Sequence, residues 1–306
     1  MNEELIELTA EEDANVRLDK YVVSHTELSR TRVQKLCEEG RVIVDGKTAK
    51  SSLKLEGGEN IQITVPEEEE MDVLPEDIPL DILYEDSDII VINKPKGMVV
   101  HPAPGNYSGT LVNALLYHCK DLSGINGVIR PGIVHRIDKD TTGCIVACKN
   151  DKAHTAIAKQ LEDKTCHREY MAVVTGVIPN NDGVIDAPIA RDRRDRQRMT
   201  VTDQNAREAV THFHVVERFK KATLVECALE TGRTHQIRVH MRFIHHPVMG
   251  DEKYGKPCPY MDTEGQVLHA YRLTLVHPST NEEMTFEAPL PAYFEELLEI
   301  LRKESQ

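Results

Sequence analysis

The stretch that most constrains this chain is His135-Arg136-Ile137-Asp138-Lys139-Asp140-Thr141-Thr142-Gly143. It lies between the apolar pair Ile133-Val134 and the apolar run Cys144-Ile145-Val146-Ala147-Cys148. An apolar lead-in, a tight polar segment and an apolar exit read as strand, short loop, strand. A loop of this kind ties two rigid elements together, so Asp138 can face a cleft while its backbone stays fixed. A loop carboxylate commonly does no more than bond its own backbone, and the local pattern alone leaves that reading open. Cys144 and Cys148, four apart in an apolar strand, share a face and are expected to pack as small hydrophobes.

With 306 residues the chain has room for two domains, one with a sizeable core. No apolar run approaches the roughly 20 residues that span a bilayer, and the acidic start Met1-Asn2-Glu3-Glu4 lacks a secretion signal's layout. Seven scattered cysteines, an odd number without a Cys-x-x-Cys pair, argue for a reducing cytoplasm and against disulfides or a zinc site. The net charge of −14 looks hostile to nucleic acid. Its distribution answers the objection: residues 1–13 hold six acids and residues 66–81 hold eight, neither with a base, so the remainder is neutral. A local patch, not a total, binds RNA.

Residues 1–13 are therefore read as an acidic tail, 14–65 as a small module, 66–80 as an acidic, proline-containing linker and 81–306 as the large domain. In the module, Arg17 to Val23 suggests a short helix. Ser29 caps a second helix that runs to Glu39 and stops at Gly40, with Val33, Leu36 and Cys37 as its apolar stripe. Strands follow at 41–47, ending in an Asp45-Gly46 turn, and at 61–65. Residues 30–54 carry seven bases against three acids. On charge alone that is an ordinary solvated face. The order Arg17-Leu18-Asp19-Lys20, Leu28-Ser29-Arg30-Thr31-Arg32-Val33 and Gly40-Arg41-Val42-Ile43-Val44-Asp45-Gly46-Lys47, however, resembles an S4 RNA-binding domain. The resemblance implies RNA contacts from Arg30, Arg32, Lys35, Arg41 and Lys47 that position structured RNA more than they read it.

In the large domain, Ile89 to Ile92 reads as a buried strand, Thr110 to Leu116 as the start of a helix, 151–162 as a helix and 168–176 as a strand. Residues 209–215 and 222–229 read as strands, and 291–303 as a closing helix. Lys94 and Lys96 could approach phosphate, although the nearby prolines and glycine more simply shape loops. Arg191, Arg193, Arg194, Arg196 and Arg198 make a basic loop suited to an RNA backbone. His235, His240, His245 and His246 have no spacing that favours a metal.

The motif around Asp138 is similar to the His-Arg-Leu-Asp-x-x-Thr-Ser-Gly signature of the RluA-type pseudouridine synthases, with Ile137 and Thr142 as conservative replacements. Asn93-Lys94-Pro95-Lys96-Gly97, Arg168-Glu169-Tyr170-Met171-Ala172-Val173 and Gly232-Arg233-Thr234-His235-Gln236-Ile237-Arg238-Val239-His240 match further motifs of that family, in its order. The S4 module with Lys139-Asp140-Thr141-Thr142-Gly143 looks most like the D type, which acts on large-subunit (23S) ribosomal RNA. The resemblance implies an α+β protein: a small S4 domain, then a catalytic domain on a mainly antiparallel mixed sheet, with flanking helices and loops and a central cleft.

The reaction implied is conversion of uridine in RNA to pseudouridine. The resemblance puts the nucleophile on Asp138, its partner on Arg238, the aromatic that stacks on an everted base on Tyr170, and the filling of the vacated space on Arg136. Breaking an N-glycosidic bond develops positive charge on the sugar, which a carboxylate can meet, and a guanidinium fixes a carboxylate's geometry. A flipped base needs a flat face to lie against. Asp138 then either attacks the sugar carbon or draws a sugar proton to give a glycal. Arg193, Arg194 and Arg196 join the expected RNA contacts. No cofactor, nucleotide or metal is implied, and the partner is RNA, met by a cytoplasmic monomer without a membrane, within a large-subunit precursor. A sibling enzyme acting on another rRNA or tRNA site, a non-catalytic S4 RNA binder, and a glycoside hydrolase pairing Asp138 with Asp140 are the competing readings.

Overall fold

The computed structural model describes residues 3–11, 15–66, 73–103, 105–127 and 130–306. The chain divides into two compact units, residues 1–70 and 71–306.

The first unit is a four-stranded antiparallel sheet carrying two helices. Its elements are β1 (Glu3–Thr9), α1 (Leu18–His25), α2 (Arg30–Glu38), β2 (Val42–Val44), β3 (Lys47–Thr48) and β4 (Asn60–Pro66), with strand order β1-β4-β2-β3. Ser29 caps α2 by accepting from the Arg32 amide, as a serine before an apolar-periodic run should. Asp45 and Gly46 both take positive φ in the tight turn between β2 and β3. Leu18, Val22, Val33, Leu36, Ile61 and Ile63 are fully buried between helices and sheet. One expectation fails here. Residues 3–9, assigned to an acidic tail, pair along their whole length with β4. Ile6 and Leu8 pack on the module's core while Glu4 and Glu7 stay exposed, the charged edge strand that a sheet tolerates without aggregating.

The second unit is built on a nine-stranded sheet. Its elements are β5 (Ile82–Glu85), β6 (Ile89–Lys94), α3 (Leu111–His118), β7 (Thr142–Cys148), α4 (Asp151–Glu162), β8 (His167–Thr175), β9 (Asp182–Asp186), β10 (Ile189–Arg191), β11 (Met199–Val201), β12 (Val210–Arg218), β13 (Ala222–Leu229), α5 (Gln236–Phe243), β14 (Leu268–Val276), β15 (Glu283–Glu287) and α6 (Ala292–Ser305). The order is β5-β6-β7-β14-β8-β13-β12-β9, with β15 beside β14 and β10 pairing β11 separately. Every ladder is antiparallel except β7–β14, where His269 pairs with Thr142 and Ala270 with Gly143. At Gly143 the two strands nearly touch: a Cβ there would lie 2.2 Å from the Ala270 carbonyl oxygen, and φ is +106°. Only glycine fits. The architecture is the expected α+β mixed sheet with flanking helices.

Two further expectations change. Ile133-Val134 is not a strand: Ile133 makes a single isolated bridge to Ala147, because only β7 continues as regular sheet on the far side of the loop. The later half of the supposed linker is packed. Val73 is buried in the main core, Asn113 donates to the Leu74 carbonyl and Glu76 accepts from the Gly109 amide. The four glutamates 67–70 lie outside the described residues. Cys144 and Cys148 pack as hydrophobes against Ile89, Val146 and Ile157.

Candidate active site

The Asp138 loop is held from three sides before any ligand enters. At its start His135 Nε2 accepts from the Val146 amide at 3.1 Å, a role that requires a neutral ring; burial pushes this imidazole down to about 3. In its middle, Lys94 Nζ donates to the carbonyls of Pro95, Met98 and Lys139 at 2.7 to 2.9 Å. At its end Thr141 Oγ1 accepts from Gln266 and Thr142 Oγ1 bonds His269 Nδ1. Lys94 is fully buried, and burial lowers its ammonium to about 7 against the fields of Asp140 and Asp138. It is a loop staple. Lys96 bonds the Thr263 carbonyl and lies over the Tyr293 ring. Neither lysine serves the phosphate contact considered for it.

Asp138 faces a cavity of about 890 Å³, within the range of small-molecule sites. Its walls come from residues 133–138, Arg168 and Tyr170 on β8, residues 232–238 at the entry to α5, and Leu268 on β14. Arg238, on the first turn of α5, donates from Nη1 to Asp138 Oδ2 at 2.8 Å. Its Nε and Nη2 grip both oxygens of Asp251, at 2.6 and 2.9 Å, the fork geometry that suits guanidinium to carboxylate. Burial opposes the Arg238 charge, but the bond to Asp251 and the fields of both carboxylates outweigh it and raise its pKa. Behind Arg238 lies Tyr254, its ring 5.2 Å from the guanidinium carbon.

His235 stands on the other side of the carboxylate, its Nε2 3.9 Å from Asp138 Oδ1. Its φ of +57° is rare outside glycine and asparagine and marks a constrained position. The Tyr254 hydroxyl accepts from the Met199 amide and is hydrogen-bonded to His235 Nδ1 at 2.7 Å, which fixes the ring with Nε2 towards Asp138. Burial lowers the His235 pKa, with Asp138 opposing. Gln236 anchors the start of α5: its Oε1 accepts from Thr231 and Arg233, and its Nε2 donates to Val210 and Thr211 on β12.

Tyr170 is 6% exposed; burial pushes its phenol up to about 12, so it offers a neutral ring. Arg136 lines the cavity next to Asp138 and donates to Thr234 Oγ1 at 2.6 Å. The structure thus brings Asp138, Tyr170, Arg238 and Arg136 together. Asp251 and Tyr254 are neighbours of this group that residue patterns did not single out, and His235 was weighed only as a metal ligand. The signal available was indirect: an arginine on the buried side of α5 calls for a carboxylate partner, but nothing local says which. Asp140 does not line the cavity; it packs beside Gly265, so the hydrolase pair with Asp138 is not assembled there.

The expected RNA contacts fare unevenly. Arg30 donates twice to the buried Asp19, Lys35 and Arg41 lie 3.7 and 3.6 Å from Glu39, and Arg32 bonds the Pro66 carbonyl, so these charges are partly spent within the module. Lys47 is exposed. Arg193, Arg194 and Arg196 are exposed in the turn from β10 to β11 and do not line the cavity. Arg130, Arg207 and Arg233, which do line it, were not anticipated. Among the described residues, Glu85, His118 and Cys119 bring three donor atoms within 4.8 Å. Lys149 already bonds that Glu85, and burial pushes the Cys119 thiol up to about 11, so the group reads as an ion-pair cluster. Among the described residues no helix is long and apolar enough to cross a membrane.

Comparison with known proteins now gives the class. Residues 88–243 match the RNA pseudouridylate synthase family, and residues 16–61 match the S4 domain. An uncharacterized RNA pseudouridine synthase of Bacillus subtilis, YlyB, is 57% identical over 300 residues, covering 97% of this chain and 98% of its own. The ribosomal large subunit pseudouridine synthase D of Neisseria meningitidis serogroup A is 46% identical over 288 residues, covering 90% and 76%. Among solved structures, human RNA pseudouridylate synthase domain containing 4 superposes with a TM-score of 0.56 at 28% identity, covering 72% of this chain and 92% of that one. The chain belongs to the RNA pseudouridine synthase family, isomerases that act on RNA, and carries an N-terminal S4 domain.

Proposed function

We propose that this enzyme converts specific uridines of large-subunit (23S) ribosomal RNA to pseudouridine, with Asp138 as nucleophile. The observation that carries the reading is the Asp138–Arg238 pair, at 2.8 Å on the wall of a cavity that Tyr170 also lines. The target uridine leaves its stack and its base lies on the Tyr170 ring, which supplies the contact that neighbouring bases no longer give. Arg136, next to the nucleophile, fills the space left behind. Arg238 fixes the Asp138 carboxylate against the sugar, and its second grip on Asp251 keeps it from turning away. Asp138 meets the positive charge that grows on the sugar as the base departs. The choice of ribosomal RNA follows the name of the Neisseria relative; the S4 module and the exposed arginines 193, 194 and 196 add affinity without reading sequence. The enzyme works as a cytoplasmic monomer on a large-subunit precursor.

The test is direct. Pseudouridines are mapped in ribosomal RNA from cells with and without the protein, and the purified enzyme is incubated with uridine-labelled transcript. Loss of one or a few rRNA pseudouridines and their formation in vitro is the expected result. An unchanged rRNA map with changed transfer RNA points to a different target, and free uracil in place of pseudouridine rules out isomerisation.

A further inference from the structure

β8 presents two side chains to the cavity, Arg168 and Tyr170. Two apart on a strand, they project from one face about 7 Å from each other, so the arginine lies at the edge of whatever rests on the tyrosine ring. Arg168 is 8% exposed and its Nε has no hydrogen-bond partner. Among the described residues its guanidinium meets no carboxylate either: Glu169 is taken by Arg272 at 3.2 Å and Asp138 by Arg238. A buried donor left without a partner is costly, and folds avoid it unless something else compensates. Here the chain makes room for it. A Cβ at Gly232 would lie 2.5 Å from Arg168 Nη1, so the glycine that opens the Gly-Arg-Thr-His motif admits the guanidinium.

We propose that Arg168 is a further catalytic residue, which holds the uracil ring by its carbonyl edge and stabilises the negative charge the base carries while it is detached. This rests on the reading of Tyr170 as the platform for the base. When the N1–C1′ bond breaks, its electron pair leaves with N1 and spreads onto O2 and O4. C1′ is completed by Asp138, whose carboxylate bonds to it or takes the C2′ proton. After the ring turns, C5 supplies a pair to C1′, the Asp138 bond breaks or the C2′ proton returns, the C5 proton passes to solvent and N1 takes one up. Atoms and charge balance with nothing added.

The anionic base exists only between the two bond events. A cation that meets it there lowers the barrier without tightening the binding of uridine. The planar fork of a guanidinium can follow either carbonyl as the ring turns. A backbone phosphate is the poorer occupant. The exposed arginines 130, 136 and 207 line the same cavity where a phosphodiester can keep its water, while Arg168 is buried beside Tyr170.

Single-turnover conversion and equilibrium binding of uridine-labelled transcript are compared for the wild type, Arg168→Gln, Arg168→Lys and Asp138→Asn. Arg168→Gln should slow conversion at saturating RNA about 10²- to 10³-fold, with Kd and its salt dependence unchanged. Arg168→Lys should regain part of the rate near pH 6 and lose it towards about pH 9, as a buried amine gives up its proton. Wild-type rate at saturation in Arg168→Gln overturns the proposal. So does weaker binding with the salt slope reduced by about one phosphate, which makes Arg168 a backbone clamp. Should the glutamine variant not fold, the lysine variant decides, and a wild-type rate across that pH range overturns the proposal. Failure of the underlying reading looks different: no pseudouridine from the wild type, or retained turnover in Asp138→Asn.

Discussion

Each unit contains an ion cluster built around a buried arginine or aspartate, and the two are arranged in opposite senses. In the S4 domain the buried ion is the carboxylate. Asp19, 0% exposed, accepts from Arg17, Arg30 and Gln34 at 3.0 to 3.1 Å, and both arginines are half-exposed. In the synthase domain the buried ion is the guanidinium of Arg238, between the fully buried Asp251 and the partly open Asp138. The bond to Arg17 leads, with Arg30 and Gln34 adding, in holding the Asp19 carboxyl far below the usual carboxylate range despite its burial. The first cluster spends the Asp19 oxygens internally and holds the helices together. The second leaves Asp138 Oδ1 at the cavity with His235 no nearer than 3.9 Å, so an ion pair of the same ingredients can meet a substrate.

The sharpest way to break this contrast is to neutralise one carboxylate in each cluster. Asp138→Asn should cut single-turnover conversion by about 10⁴-fold or more while RNA affinity stays within about twofold. Asp19→Asn should leave the rate at saturating RNA unchanged. Equal effects on rate would erase the distinction. Next in size is Asp251→Ala, which leaves a buried guanidinium with half its partners. A loss of about 3–5 kcal/mol in urea unfolding is expected, and a loss under about 1 kcal/mol would show that Arg238 does not depend on it. Asp19→Ala strands only half-exposed arginines, so a smaller loss of about 1–3 kcal/mol is expected. It should be confined to residues 1–70 when followed by hydrogen exchange.

A last effect concerns pH. Burial brings the Lys94 ammonium from 10.5 to about 7 in the folded state. Between those values the unfolded chain holds a proton that the folded one has released, so stability from this group rises with pH. From pH 7 to 9 the gain should be about 2 kcal/mol by urea midpoint, absent in Lys94→Met. A flat wild-type profile would contradict it.

How much of this was legible in the residues follows the range of the interactions. The Ser29 cap, the Asp45-Gly46 turn, α4 and the loop around Asp138 are written in a few neighbouring positions, and each was readable locally. β1 was not, because its glutamates dominate the composition while the alternation of Ile6 and Leu8 is only two residues deep. Val73 and Leu74 looked like linker for the same reason: their partners, in the main core and at Asn113, come from residues far along the chain. Of the candidate site, Asp138, Tyr170, Arg136 and Arg238 lie in recognisable motifs. Asp251 and Tyr254 act through contacts thirteen and nineteen residues from Arg238 and His235, a separation at which no periodicity speaks.

The Gly143 junction sets a tolerance for everything described above. The Asp138 segment re-enters the sheet at the one parallel pair of strands among the described residues, with no spare width between β7 and β14. Even a methyl group there would act as a wedge, driven between the strand that leads from Asp138 and the one that carries Leu268. Distances within the cavity are therefore set less by the charged groups themselves than by how closely two backbones lie, and an alanine at this position would misalign a chemically complete site.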